Sequence, residues 1–130
     1  MMSNKLLRRF SDIALLEALE DTPVILIHGS RQCGKTTLAQ SSCLELGYHY
    51  ISFDNDSQLQ AAKADPIGFI HSLPENVILD EIQRVPELFT SIKSSVDSNR
   101  KPGRFILTGS ANVLLLPKLA DSLAGRMEII

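Results

Sequence analysis

Gly29-Ser-Arg-Gln-Cys-Gly-Lys35-Thr36 lies between an apolar run, Val24-Ile-Leu-Ile27, and a helix-like segment at residues 37–46. The stretch fits the pattern G-x-x-x-x-G-K-[ST], which is that of a phosphate-binding loop. A strand before the loop and a helix after it form the structural context that this motif requires. The stretch therefore predicts that the chain binds a nucleoside triphosphate together with Mg²⁺.

Each position of the loop has a physical role. The two glycines let the backbone turn tightly and approach phosphate oxygens where a Cβ would clash. Backbone N–H groups and the N-terminus of the following helix form an anion site. Lys35 supplies positive charge to the β- and γ-phosphates, and Thr36 places its hydroxyl on Mg²⁺. The residues predicted to bind the nucleotide are Gly29, Ser30, Arg31, Gln32, Cys33, Gly34, Lys35, Thr36 and Thr37.

The composition narrows the class of protein. The chain has 130 residues, of which 44% are hydrophobic, and this fits one domain with an ordinary core. A net charge of −2 and 5% aromatic residues give no signal for nucleic-acid binding in this segment. The apolar runs are too short to span a membrane, and the N-terminus lacks the apolar region of a signal peptide. We predict a cytoplasmic protein with no membrane partner.

Apolar runs alternate with helical patterns along the whole chain. Strands are predicted at residues 24–27, 48–53, 76–79, 104–107 and 127–130. One predicted helix precedes residue 21, and the others lie between the strands. Ser57 is expected to cap the helix after the second strand, Asp65 the next helix, and Pro86 to open another. This order predicts a parallel α/β sheet with helices on both faces, with residues 1–22 as the lead-in and 23–130 as the core.

Two adjacent carboxylates follow the third predicted strand. Asp80 is expected to hold Mg²⁺ through water, as the second half of the site begun by Thr36. Glu81 is one residue further along a strand, so we expect it to point away from Asp80 and to polarise the water that attacks the γ-phosphate. An Asp-Glu pair by itself is also typical of a solvated turn, but its position behind a buried strand favours catalysis.

Polar residues near the last two strands are further candidates. Thr108 or Ser110, at the end of the fourth strand, could hold the attacking water or could simply form a turn. Arg126, just before the fifth strand, is either a surface charge or an arginine finger for the nucleotide of a neighbouring subunit. The sequence offers two readings of Gln83 and Arg84: contact with a neighbouring subunit, or positioning of the loop after the third strand.

Together these segments resemble the prokaryotic AAA-type ATPases of the AAA+ superfamily, which belong to the P-loop class. The resemblance rests on the loop, on Leu79–Phe89, on Phe105–Asn112 and on Ser122–Arg126. It implies a P-loop NTPase sheet of strand order 5-1-4-3-2 and ATP rather than GTP as the ligand. It also implies a sensor at Ser110, with Thr108 as second choice, and a homo-oligomer in which Arg126 acts on the neighbour.

The same resemblance implies a catalytic role for Lys35 and Glu81, so the leading hypothesis is a Mg²⁺-dependent ATPase that drives or signals a conformational change. Related proteins continue into a helical lid and a C-terminal domain, so we expect this chain, which ends at Ile130, to be a truncated core. That expectation keeps a nucleotide-dependent switch with little turnover as the alternative. A small-molecule kinase is disfavoured because neither an acceptor pocket nor an arginine-bearing lid is recognisable.

Overall fold

The computed structural model describes residues 17–28, 47–110, 119 and 122–129. Within these ranges the strands are β1 (Val24–His28), β2 (His49–Ser52), β3 (Val77–Asp80), β4 (Phe105–Gly109) and β5 (Met127–Ile129). The helices whose two ends are described are α1 (Asp56–Ala64), α2 (Pro66–His71) and α3 (Leu88–Ser98). A short 3₁₀ turn, Ile82–Arg84, follows β3, and residues 17–21 are helical.

The five strands form one parallel sheet in the order β2-β3-β4-β1-β5. Read in the opposite direction, from β5 to β2, this is the predicted order 5-1-4-3-2, so the predicted P-loop NTPase topology is confirmed. Because all strands run the same way, their carboxyl ends meet at one edge of the sheet, where ligands of such folds bind. The residues that follow β3 and β4 therefore lie at that edge, and β1 also ends there.

Both faces of the sheet are apolar, because alternate residues of each strand enter different cores. On one face, Val24 and Leu26 join a large cluster with helices α1, α2 and α3. On the other face, Ile25 and Ile27 join a smaller cluster that includes Ala18 of the helical residues 17–21. The two clusters explain why the strands read as continuous apolar runs, as expected for a covered parallel sheet.

The boundaries of the elements differ from the sequence prediction by one or two residues at several ends. The second strand lacks the outer residues Tyr48 and Phe53, and the third extends to Asp80. The helix expected to open at Pro86 begins at Leu88. Four of its apolar residues are fully buried: Leu88, Phe89, Ile92 and Val96. Such shifts are normal because hydrogen bonding, rather than composition, defines an element's end.

One helix cap is predicted correctly and one is wrong. Asp65 caps α2, since its carboxylate accepts a hydrogen bond from the backbone N–H of Gly68 at 3.0 Å. Ser57 does not cap α1; the cap is Asn55, whose side-chain oxygen accepts hydrogen bonds from the N–H groups of Ser57 and Gln58. The backbone of Asn55 is extended, and this is the conformation in which a residue before a helix presents its side-chain oxygen to the N–H groups of the first turn.

Several predicted elements lie outside the described residues. These are most of the helix expected before residue 21, the helix at 37–46, the stretch 111–118 and the last residue, Ile130. Gly47, two residues before β2, has φ of +90°, a backbone conformation that favours glycine.

A tight contact at Gly103 joins the turn before β4 to the lead-in of β1. The Gly103 carbonyl accepts a hydrogen bond from the Tyr48 hydroxyl at 2.5 Å, and its N–H donates to the Thr22 carbonyl at 2.8 Å. Its φ is +71°, and an added Cβ would lie 2.7 Å from Tyr48 Oη and 3.0 Å from the Leu19 carbonyl oxygen. Both the backbone conformation and the space therefore require glycine at this position.

We predict that Gly103→Ala destabilises the fold more than Gly47→Ala does. Both substitutions place alanine in the left-handed region, at about 1–2 kcal/mol each. Gly47 has no heavy atom within 4 Å of the added Cβ, so only Gly103→Ala adds a steric clash, which we expect to cost about 1–3 kcal/mol more. Urea denaturation of both variants measures the difference, and equal losses would contradict the described packing.

Candidate nucleotide site

Asp80 lies at the carboxyl end of β3, with only 4% of its surface exposed. Its Oδ2 accepts hydrogen bonds from the Tyr50 hydroxyl at 2.6 Å and from the Ser52 hydroxyl at 3.3 Å. Its Oδ1 accepts a hydrogen bond from the Thr108 hydroxyl. A buried carboxylate requires such donors, because burial without them would strongly disfavour its charge. The side chains of three adjacent strands, β2, β3 and β4, therefore meet at Asp80.

The alternation of side chains along the strands produces this meeting. Tyr50 packs against the smaller core, and Ser52, two residues later, points to the same face and pairs in register with Asp80. Thr108 is two residues after Ile106, which also belongs to the smaller core. Burial raises the pKa of the Tyr50 phenol, and the hydrogen bond to Asp80 raises it further, so the phenol stays a proton donor.

Glu81 does not lie as the sequence predicted. The expectation that it points away from Asp80 assumed that the strand continues, but β3 ends at Asp80 and Glu81 has left-handed backbone angles, φ 60° and ψ 47°. Strand alternation therefore stops at this residue. Glu81 is 7% exposed, and its carboxylate returns to within 4.8 Å of a carboxylate oxygen of Asp80.

A third carboxylate, that of Asp54, joins this cluster. One oxygen each from Asp54, Asp80 and Glu81 lie within 4.8 Å of one another. Hard carboxylate oxygens at this separation fit the donor chemistry of Mg²⁺. Asp54 is not among the site residues predicted above; the signal that could have found it is its position just after β2, the strand next to β3 in the sheet.

Gln83 and Arg84 bind the side chains of Glu81 and Asp54 at the carboxyl ends of the strands. Gln83 donates a hydrogen bond from Nε2 to Glu81 Oε2 at 2.6 Å. Arg84 forms an ion pair with Asp54, with 2.9 Å between Nη1 and Oδ1. Of the two readings that the sequence left open for this pair, these contacts support positioning of the loop after the third strand.

At the end of β4, the described contacts involve Thr108 more than Ser110. Thr108 is fully buried, donates its hydroxyl hydrogen to Asp80, and accepts a hydrogen bond from the Glu81 backbone N–H at 3.3 Å. Ser110 lies just beyond the strand and is half-buried. The sensor role of either residue stays a prediction, and the structure adds that Thr108 contacts both members of the Asp-Glu pair.

Arg126 lies near the amino ends of the strands, whereas Asp80 lies at their carboxyl ends. Its carbonyl accepts a hydrogen bond from the N–H of Val24, the first residue of β1, so Arg126 stands beside the amino ends of the strands. From the strand register and spacing, Asp80 is about 13 Å further along the sheet and about 14 Å across it. The Arg126 guanidinium binds Asp97 at 2.6 and 3.1 Å, and this hydrogen bond lowers the pKa of Asp97.

The predicted phosphate-binding residues, from Gly29 to Thr37 and including Lys35 and Thr36, lie outside the described residues. The strand that leads into them, β1, is described and fully buried over residues 24–26. It pairs with β4 and β5 at the centre of the sheet, so the chain leaves β1 at the same edge as Asp80.

Residues 21–130 match the family of AAA domains. The chain belongs to this family. The assignment agrees with the strand order and with the carboxylates at the end of β3, and it makes the chain an ATP-binding domain of the AAA type. The resemblance to AAA-type P-loop ATPases noted in the sequence is therefore confirmed.

Two mycobacterial relatives share most of the chain. The uncharacterized proteins Mb2031c of Mycobacterium bovis and Rv2008c of Mycobacterium tuberculosis are each 37% identical to it over 124 residues, or 95% of the chain. The chain spans 28% of the length of each of these relatives.

A solved structure, that of a DNA replication initiation factor, shares the fold. It superposes with a TM-score of 0.63 and 21% sequence identity, covering 100% of this chain and 46% of its own. At that identity the likeness concerns the fold alone. In the parts of the chain that the structure describes, no helix has the length and apolar character needed to cross a bilayer.

We predict that Thr108→Val destabilises the domain by about 1–3 kcal/mol, because it removes hydrogen bonds to two buried groups and preserves the side chain's shape. Thr90→Val is the matched control: Thr90 is exposed on α3, its hydroxyl has only a 3.5 Å contact with the Ser122 hydroxyl, at the limit of hydrogen bonding, and the change should alter stability by less than about 0.5 kcal/mol. Thermal unfolding compares them. Equal stability of the two variants would contradict a structural role for Thr108 at the Asp-Glu pair.

Proposed function

We propose that this domain binds Mg²⁺-ATP and hydrolyses it, with Glu81 as the general base, and that the cycle drives or signals a conformational change. The observation that carries the proposal is the buried pair Asp80 and Glu81, whose carboxylates lie close together at the carboxyl end of a central strand. The family assignment and the phosphate-binding motif after β1 support ATP as the ligand. A cytoplasmic location stays a prediction.

Asp80 and Thr36 would hold the magnesium ion in this proposal. The ion would neutralise charge on the β- and γ-phosphate oxygens. Three protein hydroxyls already donate to the Asp80 carboxylate, which suits binding of the ion through water better than direct coordination. Lys35 would add positive charge at the same phosphates.

Glu81 would take the proton of the attacking water. The water oxygen forms a bond to the γ-phosphorus, its proton passes to the Glu81 carboxylate, and the bridging oxygen leaves with ADP. Its position at the carboxyl ends of the strands favours this role, because the hydrogen bond from Gln83 holds the carboxylate in place beside Asp80. Either Ser110 or Thr108 would sense the γ-phosphate from the end of β4.

We predict that Glu81→Gln keeps ATP affinity within about threefold and lowers the rate of phosphate release about 10²- to 10⁴-fold. The amide keeps the size of the side chain and removes its basicity. Glu87→Gln, on an exposed residue, is the control and should match the parent. Isothermal titration gives the affinity, and a phosphate-release assay gives the rate.

A second candidate is a nucleotide-dependent switch with little turnover. The ion pair between Arg126 and Asp97 within the same chain favours it, because Arg126 must leave Asp97 before it can act on the nucleotide of a neighbour. If the parent and Glu81→Gln bind ATP equally and are equally inert, the switch replaces the ATPase.

We further propose that Arg126 acts on the nucleotide of a neighbouring copy in a homo-oligomer. Its place at the amino edge supports this, since that edge is remote from its own chain's site. We predict that Arg126→Ala lowers turnover about 10³-fold, whereas Lys63→Ala does not. Mixing Arg126→Ala with Glu81→Gln subunits should restore part of the activity, because mixed neighbours combine an intact base with an intact arginine. Parent-like turnover by Arg126→Ala would contradict the proposal.

A further inference from the structure

The backbone at Glu81 is held in an unusual conformation. Its φ of 60° is the only positive value at a non-glycine residue in the described ranges. Residues other than glycine, asparagine and aspartate seldom adopt it, so the surrounding structure must hold it in place. The 3₁₀ turn that follows does so: the Arg84 N–H donates to the Glu81 carbonyl at 3.1 Å, and the Val85 N–H donates to the Ile82 carbonyl at 3.0 Å.

Gln83, which belongs to the same 3₁₀ turn, donates a hydrogen bond to the Glu81 carboxylate. Gln83 Nε2 lies 2.6 Å from Glu81 Oε2, which is a short hydrogen bond. An ionised carboxylate only accepts hydrogen bonds, so the amide nitrogen of Gln83, rather than its oxygen, must face it. This fixes the orientation of the amide group.

The fixed orientation leaves the other end of the amide in need of a donor. Gln83 Oε1 is buried and has no hydrogen-bond partner within the described parts of the chain. Buried carbonyl oxygens are nearly always paired, with protein groups or with ordered water. This unpartnered acceptor is only two covalent bonds from the nitrogen that donates to Glu81, so one water molecule is able to contact both Oε1 and the Glu81 carboxylate.

We propose that Gln83 is a positioning residue for hydrolysis. It holds the Glu81 carboxylate through Nε2, and through Oε1 it accepts a hydrogen bond from the water that Glu81 deprotonates. That water uses one O–H group toward Glu81, to which its proton passes, and the other toward Gln83. The inference rests on the proposed ATPase function and adds to it a residue that directs the base and orients the water.

The test compares Gln83→Met with Gln60→Met in the full chain. Methionine keeps the length of glutamine and removes both hydrogen-bonding groups, and Gln60 is an exposed residue of α1. We expect Gln83→Met to lower kcat about 10- to 100-fold, the effect of a misplaced reacting group, with ATP affinity within about twofold of the parent. Gln60→Met should match the parent in both. Equal kcat for Gln83→Met and the parent would overturn the inference.

A double variant separates this role from a purely structural one. In the Glu81→Gln background, Gln83→Met should cause less than about twofold further loss of turnover, because residues that act as one unit are not additive. A full additional loss would show that Gln83 acts independently of Glu81 and would overturn the inference. If Gln83→Met does not fold, Gln83→Glu keeps the shape of the side chain, removes the donor and places a second negative charge beside Glu81, and it should also lower kcat.

The outcomes also separate this inference from the proposed function. A parent that binds ATP and releases no phosphate contradicts the ATPase proposal, and the inference fails with it. An active parent that loses activity with Glu81→Gln but not with Gln83→Met supports the ATPase and overturns only the role of Gln83.

Discussion

Burial of the Asp80 carboxylate is the constraint on which the site depends. A charge that is 4% exposed persists only if hydrogen bonds replace water, and here the donors are hydroxyls from the two strands that flank β3. Tyr50 and Ser52 approach from β2, and Thr108 approaches from β4. The requirement therefore fixes the ends of three strands relative to one another, and it places a polar cluster where the parallel sheet already directs its ligands.

The left-handed backbone at Glu81 adds a second carboxylate to the polar cluster around Asp80, and the proposed chemistry depends on this second carboxylate. On a continuing strand, the residue after Asp80 would face the large core, where a carboxylate has no donors. The left-handed backbone brings the Glu81 carboxylate back to the Asp80 side, and Gln83 holds it there. A conformation of this kind costs about 1–3 kcal/mol and persists at places where the neighbouring structure enforces it. The 3₁₀ turn supplies that enforcement.

The sequence predicted the sheet well because its signals are local and strong. Apolar runs marked the strands, Asp65-Pro66 marked a helix start, and the family resemblance supplied the strand order. The predicted direction of the Glu81 side chain was wrong, because alternation of side chains holds only within a strand and β3 ends at Asp80. No sequence pattern predicts left-handed backbone angles at a glutamate. Tyr50 and Asp54 were missed for another reason: tyrosine is common in strands and aspartate in turns, so their roles arise only from the β2–β3 register.

The geometry of the parallel sheet also separates the two charged groups that the proposed reaction needs. Glu81 follows the carboxyl end of β3, whereas Arg126 precedes the amino end of β5, and the strands between them are rigidly paired. No side-chain rotation brings these groups together in one chain. The ion pair that holds Arg126 is partly solvent-exposed, with 24% of the arginine and 44% of the Asp97 side chain accessible, so water and salt weaken it and its release is easy. If Arg126 acts at all on ATP, assembly of two copies is therefore part of the chemistry, and the exchange of Asp97 for a neighbour's phosphate is the step at which assembly would control it.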